Sequence, residues 1–205
     1  MMVRDDRDVT GLVAHLEAFL GEIRAGSGGD DTTPGGVQVV WFGPDKPFAG
    51  AITIATLGLS YVYLEQPSGR GFHQELLMHL PADRESHNAA GVLFQVAKLL
   101  VDCGRGLLRG DVLGPWGQLF AGTTMTALYA ADPICLPDDF AVCDTPAGEV
   151  VLTWLVPITD AEAHYVARRG WRAFEDALMA EDPDLTDLTR GSIDAALAPE
   201  RGLAG

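Results

Sequence analysis

Positive charge and cysteine are both scarce in this sequence. Lys and Arg number 14 against 29 Asp and Glu, a formal net charge of -15 over 205 residues. A phosphate-binding face would have to gather most of those few cations against a repulsive field, so nucleic acid is not an expected partner. The cysteines, Cys103, Cys135 and Cys143, contain no C-x-x-C pair, and their odd number does not suggest a disulfide framework. Reduced thiols in a cytosolic protein are the plainer reading. The first residues, MMVRDDRDVT, carry acidic groups where a signal peptide needs a basic start and then an apolar stretch. Gln95 and Lys98 interrupt the longest apolar candidate before it reaches membrane-spanning length. The expectation is a cytoplasmic protein with no membrane partner.

Recognisable catalytic apparatus is also missing. The sequence holds no G-x-S-x-G elbow, and PSGRGF (67–72) has neither the lysine followed by Ser or Thr nor the helix that a phosphate cradle requires; it reads as a hairpin turn. His73, Glu75 and His79 share one strand face under the period-two rule and are suitable ligand types. The outer two, however, would stand about 20 Å apart at a rise of about 3.3 Å per residue, so they cannot share one ion. Asp138 and Asp139, with Asp144 nearby, flank LPDDF, a turn entering a strand. Asp182, Asp184 and Asp187 imitate the start of a calcium loop without its glycine or its bidentate Glu. No metal and no cofactor is expected.

What the sequence does have is a core. Hydrophobic residues make up 47% of it, enough for one sizeable domain. From Asp8 to Ala25, Leu12, Val13, Leu16, Phe19, Leu20 and Ile23 recur at helical spacing, and Gly26 is the expected stop. GSGGDDTTPGG then has linker composition. Short β-type runs follow at VQVVWF, AITIATL and LSYVYLE, in the last of which Tyr61 and Tyr63 share a face opposite Val62 and are candidates to line a binding cleft. GFHQELLMHL reads as a one-sided strand, with Phe72, Leu76, Met78 and Leu80 on the apolar face. Ser86 to Cys103 returns to helical spacing and stops at Gly104. MTALYAA and EVVLTWLV are strands. Pro157 marks the expected end of the latter, and Thr159 with Glu162 has capping-box spacing at the head of a helix. Strands grouped before and after a central helix predict an α+β fold with a mixed, largely antiparallel sheet and helices packed mainly on one side. The expected organisation is an amino-terminal helix (1–26), a flexible linker (27–36), one domain (37–194) and a frayed tail (195–205).

The order of GLSYVY, SGRGFHQELLMHL, GVLFQVAKLLVDCGRGLLRGDVL, MTALYAADP and the stretch from LPDDF to RGSI resembles the suppressor of fused domain family, over residues of about 36 to 194. The more specific parts are the strand with Glu75 and Leu76, the RGD turn from Arg109 to Asp111, and the VPIT turn with its helix. The resemblance implies a mixed sheet domain without a cofactor that binds a protein partner. Animal members sequester transcription factors by enclosing a peptide; bacterial single-domain members are associated with toxin systems as immunity proteins. It places Tyr63 near the peptide cleft and Glu75 at a shared Glu-Leu pair, with a shorter loop between them than in animal members. Tyr61, Tyr63, Glu75 and Asp111 are therefore the candidate partner-binding residues, and a basic toxin domain is the candidate partner. The alternatives are a regulatory module that holds an endogenous protein or peptide by strand addition, and an enzyme built around His73, Glu75 or Asp111.

Overall fold

The computed structural model describes residues 6–29, 33–66, 68–84 and 88–197, with side chains from residue 11 onward except that of Arg84. The elements run α1 (Asp6–Leu20), β1 (Ile23–Gly28), β2 (Gln38–Phe42), β3 (Ala51–Leu57), β4 (Leu64–Glu65), β5 (Gly71–Pro81), α2 (Ala89–Cys103), β6 (Val112–Leu113), β7 (Met125–Ala131), β8 (Val142–Thr145), β9 (Gly148–Thr159), α3 (Asp160–Arg169), α4 (Trp171–Glu181) and α5 (Asp194–Leu197). This is the α+β class expected. Of the strand pairings below, only that of β5 with β9 is parallel.

The chain divides into two compact units: residues 1–109 with 130–155, and residues 110–129 with 156–205. The division falls within β7 and within β9. In the first unit the strands are hydrogen-bonded in the order β1-β2-β3-β5-β9, with β4 added to β5 and β8 to β9. Ala51 to Thr56 of β3 are buried without alternation, as are Gln74 to Leu80 of β5. The expectation that β5 is one-sided is therefore corrected: both its faces are covered, and its polar residues are matched inside. His79 lies opposite Thr53 in the ladder and its Nδ1 is 2.7 Å from the Thr53 hydroxyl. Gln74 donates to the Leu107 carbonyl and to the Thr153 hydroxyl and accepts from the Leu107 amide. A buried polar group that keeps its hydrogen bonds costs little, and this lets an apparently amphipathic strand sit in a core.

α1 ends earlier than its apolar spacing suggested. The chain turns at Gly21, whose amide bonds Glu17; the Glu17 carboxylate then accepts from Ile23 at 2.9 Å, and Ile23 to Gly28 form a strand against β2. Ile23 fits the helical period but lies past the break. α1 packs on the segment around Phe140, which meets the His15 and Phe19 rings with centroids 5.8 and 5.3 Å away. α2 starts at Ala89, while Ser86, the expected start, lies outside the described residues; Gly104 ends the helix as expected.

In the second unit β6 pairs with β7. β9 runs through Pro157 to Thr159, so the proline does not end it as expected: its carbonyl accepts from Arg190 at 3.3 Å. The capping box at Thr159 and Glu162 is present. Glu162 is wholly buried and also holds Arg190 at 2.6 Å and the Ile193 amide at 3.1 Å. Gly170 then breaks the expected single helix into α3 and α4.

Candidate partner-binding site

The candidate site begins where β3 and β5 separate. Their ladder runs to Ala55 and Leu77; one step on, the Thr56 hydroxyl takes the Leu76 amide at 2.9 Å. The Glu75 carboxylate fills the gap so opened. Its Oε1 accepts from the Gly58 amide at 2.7 Å, the Ser60 amide at 3.0 Å and the Ser60 hydroxyl at 2.7 Å, and its Oε2 accepts from the Thr56 hydroxyl at 2.6 Å. Gly58 has a φ of 103°, and a Cβ there would lie 2.6 Å from the Gly36 carbonyl oxygen, so only glycine turns its amide onto the carboxylate here. Burial pushes the Glu75 carboxyl above its ordinary 4.5, while the hydrogen bonds from Thr56, Ser60 and Gly58 pull the other way.

The loop gripped in this manner carries the tyrosines. Leu59 to Tyr61 form a single 3-10 turn, and only Leu64 and Glu65 are strand, so the expected long strand through LSYVYLE is replaced by a turn and a two-residue hairpin arm. Tyr61 and Tyr63 are 46% and 56% exposed. Tyr63 is still fixed: its hydroxyl accepts from the Gly71 amide at 2.9 Å, and its ring stands edge-on to His73 with centroids 5.5 Å apart. A Cβ on Gly71 would come within 2.7 Å of that ring and 2.3 Å of the Leu64 carbonyl, so glycine is required for the close pass. His73 Nδ1 lies 2.6 Å from the Ser60 carbonyl; a carbonyl only accepts, so Nδ1 carries the proton. Glu75, Ser60, His73 and Tyr63 therefore form one connected network.

Tyr61, Tyr63 and Glu75 belong to the first unit, and Glu75 is turned inward with 1% exposure; it can act on a partner only through the loop it holds. Asp111 belongs to the second unit, where it lines an open cleft of about 520 Å³ with Val112, Pro115, His164 and Trp171. His164 in that cleft has its Nδ1 2.8 Å from the Asp160 carbonyl and 3.3 Å from the Asp160 carboxylate. In the first unit the cleft bordered by Ser60, Tyr61 and His73 is about 20 Å³, the size of one water molecule. Among the described residues no group of three or more His, Cys, Asp or Glu is arranged to hold a metal ion, and no helix is long and apolar enough to cross a membrane.

Sequence reasoning passed over Thr56, Gly58 and Ser60, which together hold the Glu75 carboxylate. Their signal, short hydroxyl residues and a glycine following a β-run, is indistinguishable in sequence from ordinary turn chemistry.

The model of the family described as Suppressor of fused protein (SUFU) matches residues 33–191. Among solved structures, a suppressor of fused homologue from Neisseria gonorrhoeae superposes with a TM-score of 0.71 at 17% identity, covering 91% of this chain and 96% of that one. The Sufu-Fu complex gives 0.63 at 19% identity over 92% of this chain and 91% of that chain. Drosophila Suppressor of Fused gives 0.64 at 18% identity over 92% of this chain but 50% of its own. A search of curated protein sequences finds no match. At these identities the superpositions speak for the fold alone; the family model, which spans most of the sequence, shows that this chain belongs to the suppressor of fused family.

Proposed function

We propose that the chain is a non-catalytic protein-binding domain, an immunity protein that binds and neutralises a basic toxin domain. The observation that carries this reading is the pair of exposed tyrosines fixed on a corner by the buried Glu75 network. Tyrosine is enriched among residues that dominate binding energy, and a corner ordered before binding loses little entropy on association. The net charge of -15 supports a basic target, because an acidic field speeds encounter with one and repels acidic competitors. Sufu, whose fold this chain shares, is solved in complex with Fu. Asp111 adds a carboxylate to the open cleft of the second unit and serves there as a further contact.

The test is capture of partners by the tagged protein from its own cells at low and high salt, with mass spectrometry of what is retained. One basic toxin domain, held at low salt, lost at high salt and weakened at least tenfold by Tyr61→Ala with Tyr63→Ala, is the expected result. Retention of a housekeeping protein in place of a toxin points instead to a regulatory module. Loss of a measurable enzymatic activity in a folded His73→Ala variant would falsify the non-catalytic reading.

A further inference from the structure

We propose that the outer edge of β1, with the groove beside α2, accepts an extended, net-basic segment of another protein as an added strand. β1 ends the hydrogen-bonded path of the first unit, and among the described residues only β2 pairs with it. In an edge strand, alternate amides and carbonyls point away from the neighbouring strand, and an extended backbone is the partner that satisfies a row of them. Proteins that keep their edges single protect them with proline, lysine, inward charge or bulges. β1 has one such device, a register shift between Ile23 and Ala25, beside the exposed Arg24. From Ala25 to Gly28 the sequence is A-G-S-G, with no charge, no proline and no side chain larger than serine's.

The groove supplies the side-chain half of such recognition. A cleft of about 370 Å³ is lined on one side by Gly28, Gly29 and Thr33 and on the other by Gly91, Phe94, Gln95 and Lys98 of α2. A strand laid along Ala25 to Gly28 would direct alternate side chains to that face, where the half-buried Phe94 ring suits an apolar one. Lys98, the groove's cation, is held 2.7 Å from Asp102, so its charge is offset locally. The chain's net charge of -15 selects the occupant: a second copy would set two such charges against each other, whereas a basic segment is attracted. This groove shares no lining residue with the cleft at Ser60, Tyr61 and His73, and the proposal does not depend on the toxin reading.

The probe is a short acetylated and amidated peptide alternating valine and lysine, titrated into the full chain and followed by amide chemical shifts and hydrogen exchange. A control carries N-methyl groups on the alternate amides that would face β1. The two have the same charge, so charge attraction alone binds both equally. The expected result is slowed exchange and shifted amides at Ala25–Gly28 and near Phe94, with affinity at least about fivefold weaker for the methylated peptide, since two or more hydrogen bonds of about 0.5–1.5 kcal/mol are lost. Phe94→Ala should weaken the unmodified peptide several-fold and leave the remaining spectrum in place. Equal affinity for both peptides, shifts centred on Tyr61 and Tyr63, or no binding overturns the proposal. So does sedimentation showing that the chain alone pairs through β1.

Discussion

Replacing Glu75 by alanine and by glutamine separates the hydrogen-bonding role of the carboxylate from its charge. Alanine leaves the Gly58 amide, the Ser60 amide and the Ser60 hydroxyl without the acceptor they share. A buried donor left unpaired costs about 1–3 kcal/mol; Ser60 is part-exposed, so water recovers some of this, and an overall loss of about 3–5 kcal/mol is expected. For a chain of this length that lowers Tm by roughly 10 °C. Glutamine keeps an oxygen where Oε1 now accepts those three bonds, and its amide nitrogen can donate to the Thr56 hydroxyl in the place of Oε2. Its cost should be about 1 kcal/mol or less. The pH dependence gives a second readout. Burial raises the Glu75 pKa above 4.5, so its contribution to stability is fully present below pH 4.5 and declines as pH rises through the raised value. Relative to wild type, Glu75→Gln should therefore gain stability from pH 4.5 upward. Urea unfolding of the three proteins at pH 4.5 and pH 7 is the assay. If glutamine proves as damaging as alanine at both pH values, the carboxylate's charge holds the turn and the reasoning fails.

His79 should show the opposite slope. Burial lowers its pKa from 6.5 to about 3, so its stabilising contribution is present above pH 6.5 and lost as pH falls toward 3, at about 1.4 kcal/mol per pH unit. Urea midpoints for His79→Gln should fall less steeply than wild type over that window; parallel curves would contradict the assignment. In the second unit Arg190→Met removes the partner of the wholly buried Glu162, and calorimetry should report a loss of about 3–5 kcal/mol. A change within about 0.5 kcal/mol would mean that the Thr159 and Ile193 amides suffice for that carboxylate.

Sequence disclosed those parts of the fold whose cause is local. The capping box at Thr159 needs only two residues three apart, the stop at Gly104 only a glycine after an apolar period, and the hairpin read at 67–72 only its turn residues; the box and the stop are present, and Glu65 pairs with Gly71 across the hairpin. Ile23 shows where locality fails, since it satisfies the helical period, and only the Gly21 break and the bond from its amide to Glu17 place it in a strand. β5 differs in another way. Its alternation of polar and apolar residues reads as a one-sided strand, but Thr53, Thr56 and Thr153, which lie 26, 19 and 79 positions away from their respective partners, supply the hydrogen bonds that let His79, Glu75 and Gln74 be buried. Pairings at that separation leave no periodic trace. The tyrosines were legible as candidates because their spacing puts both on one face of an extended run, yet the turn that presents them depends on a carboxylate on the next strand.

That dependence divides the binding problem into parts that kinetics can separate. The charge of -15 acts at a distance and is screened by salt, so it belongs to the association rate. Under the proposed function Tyr61 and Tyr63 would act only in contact, so their truncation should appear in the dissociation rate. Glu75 is buried, so under the proposed function it would set only how often the corner is already ordered; loosening the turn would lower apparent affinity by the fraction of molecules still ordered. Glu75→Ala should then weaken binding at every salt concentration by a constant factor, whereas a surface carboxylate removed from the same chain should weaken it most at low salt. A turn fixed from inside would present both exposed rings already ordered, so that little entropy is lost when a partner meets them.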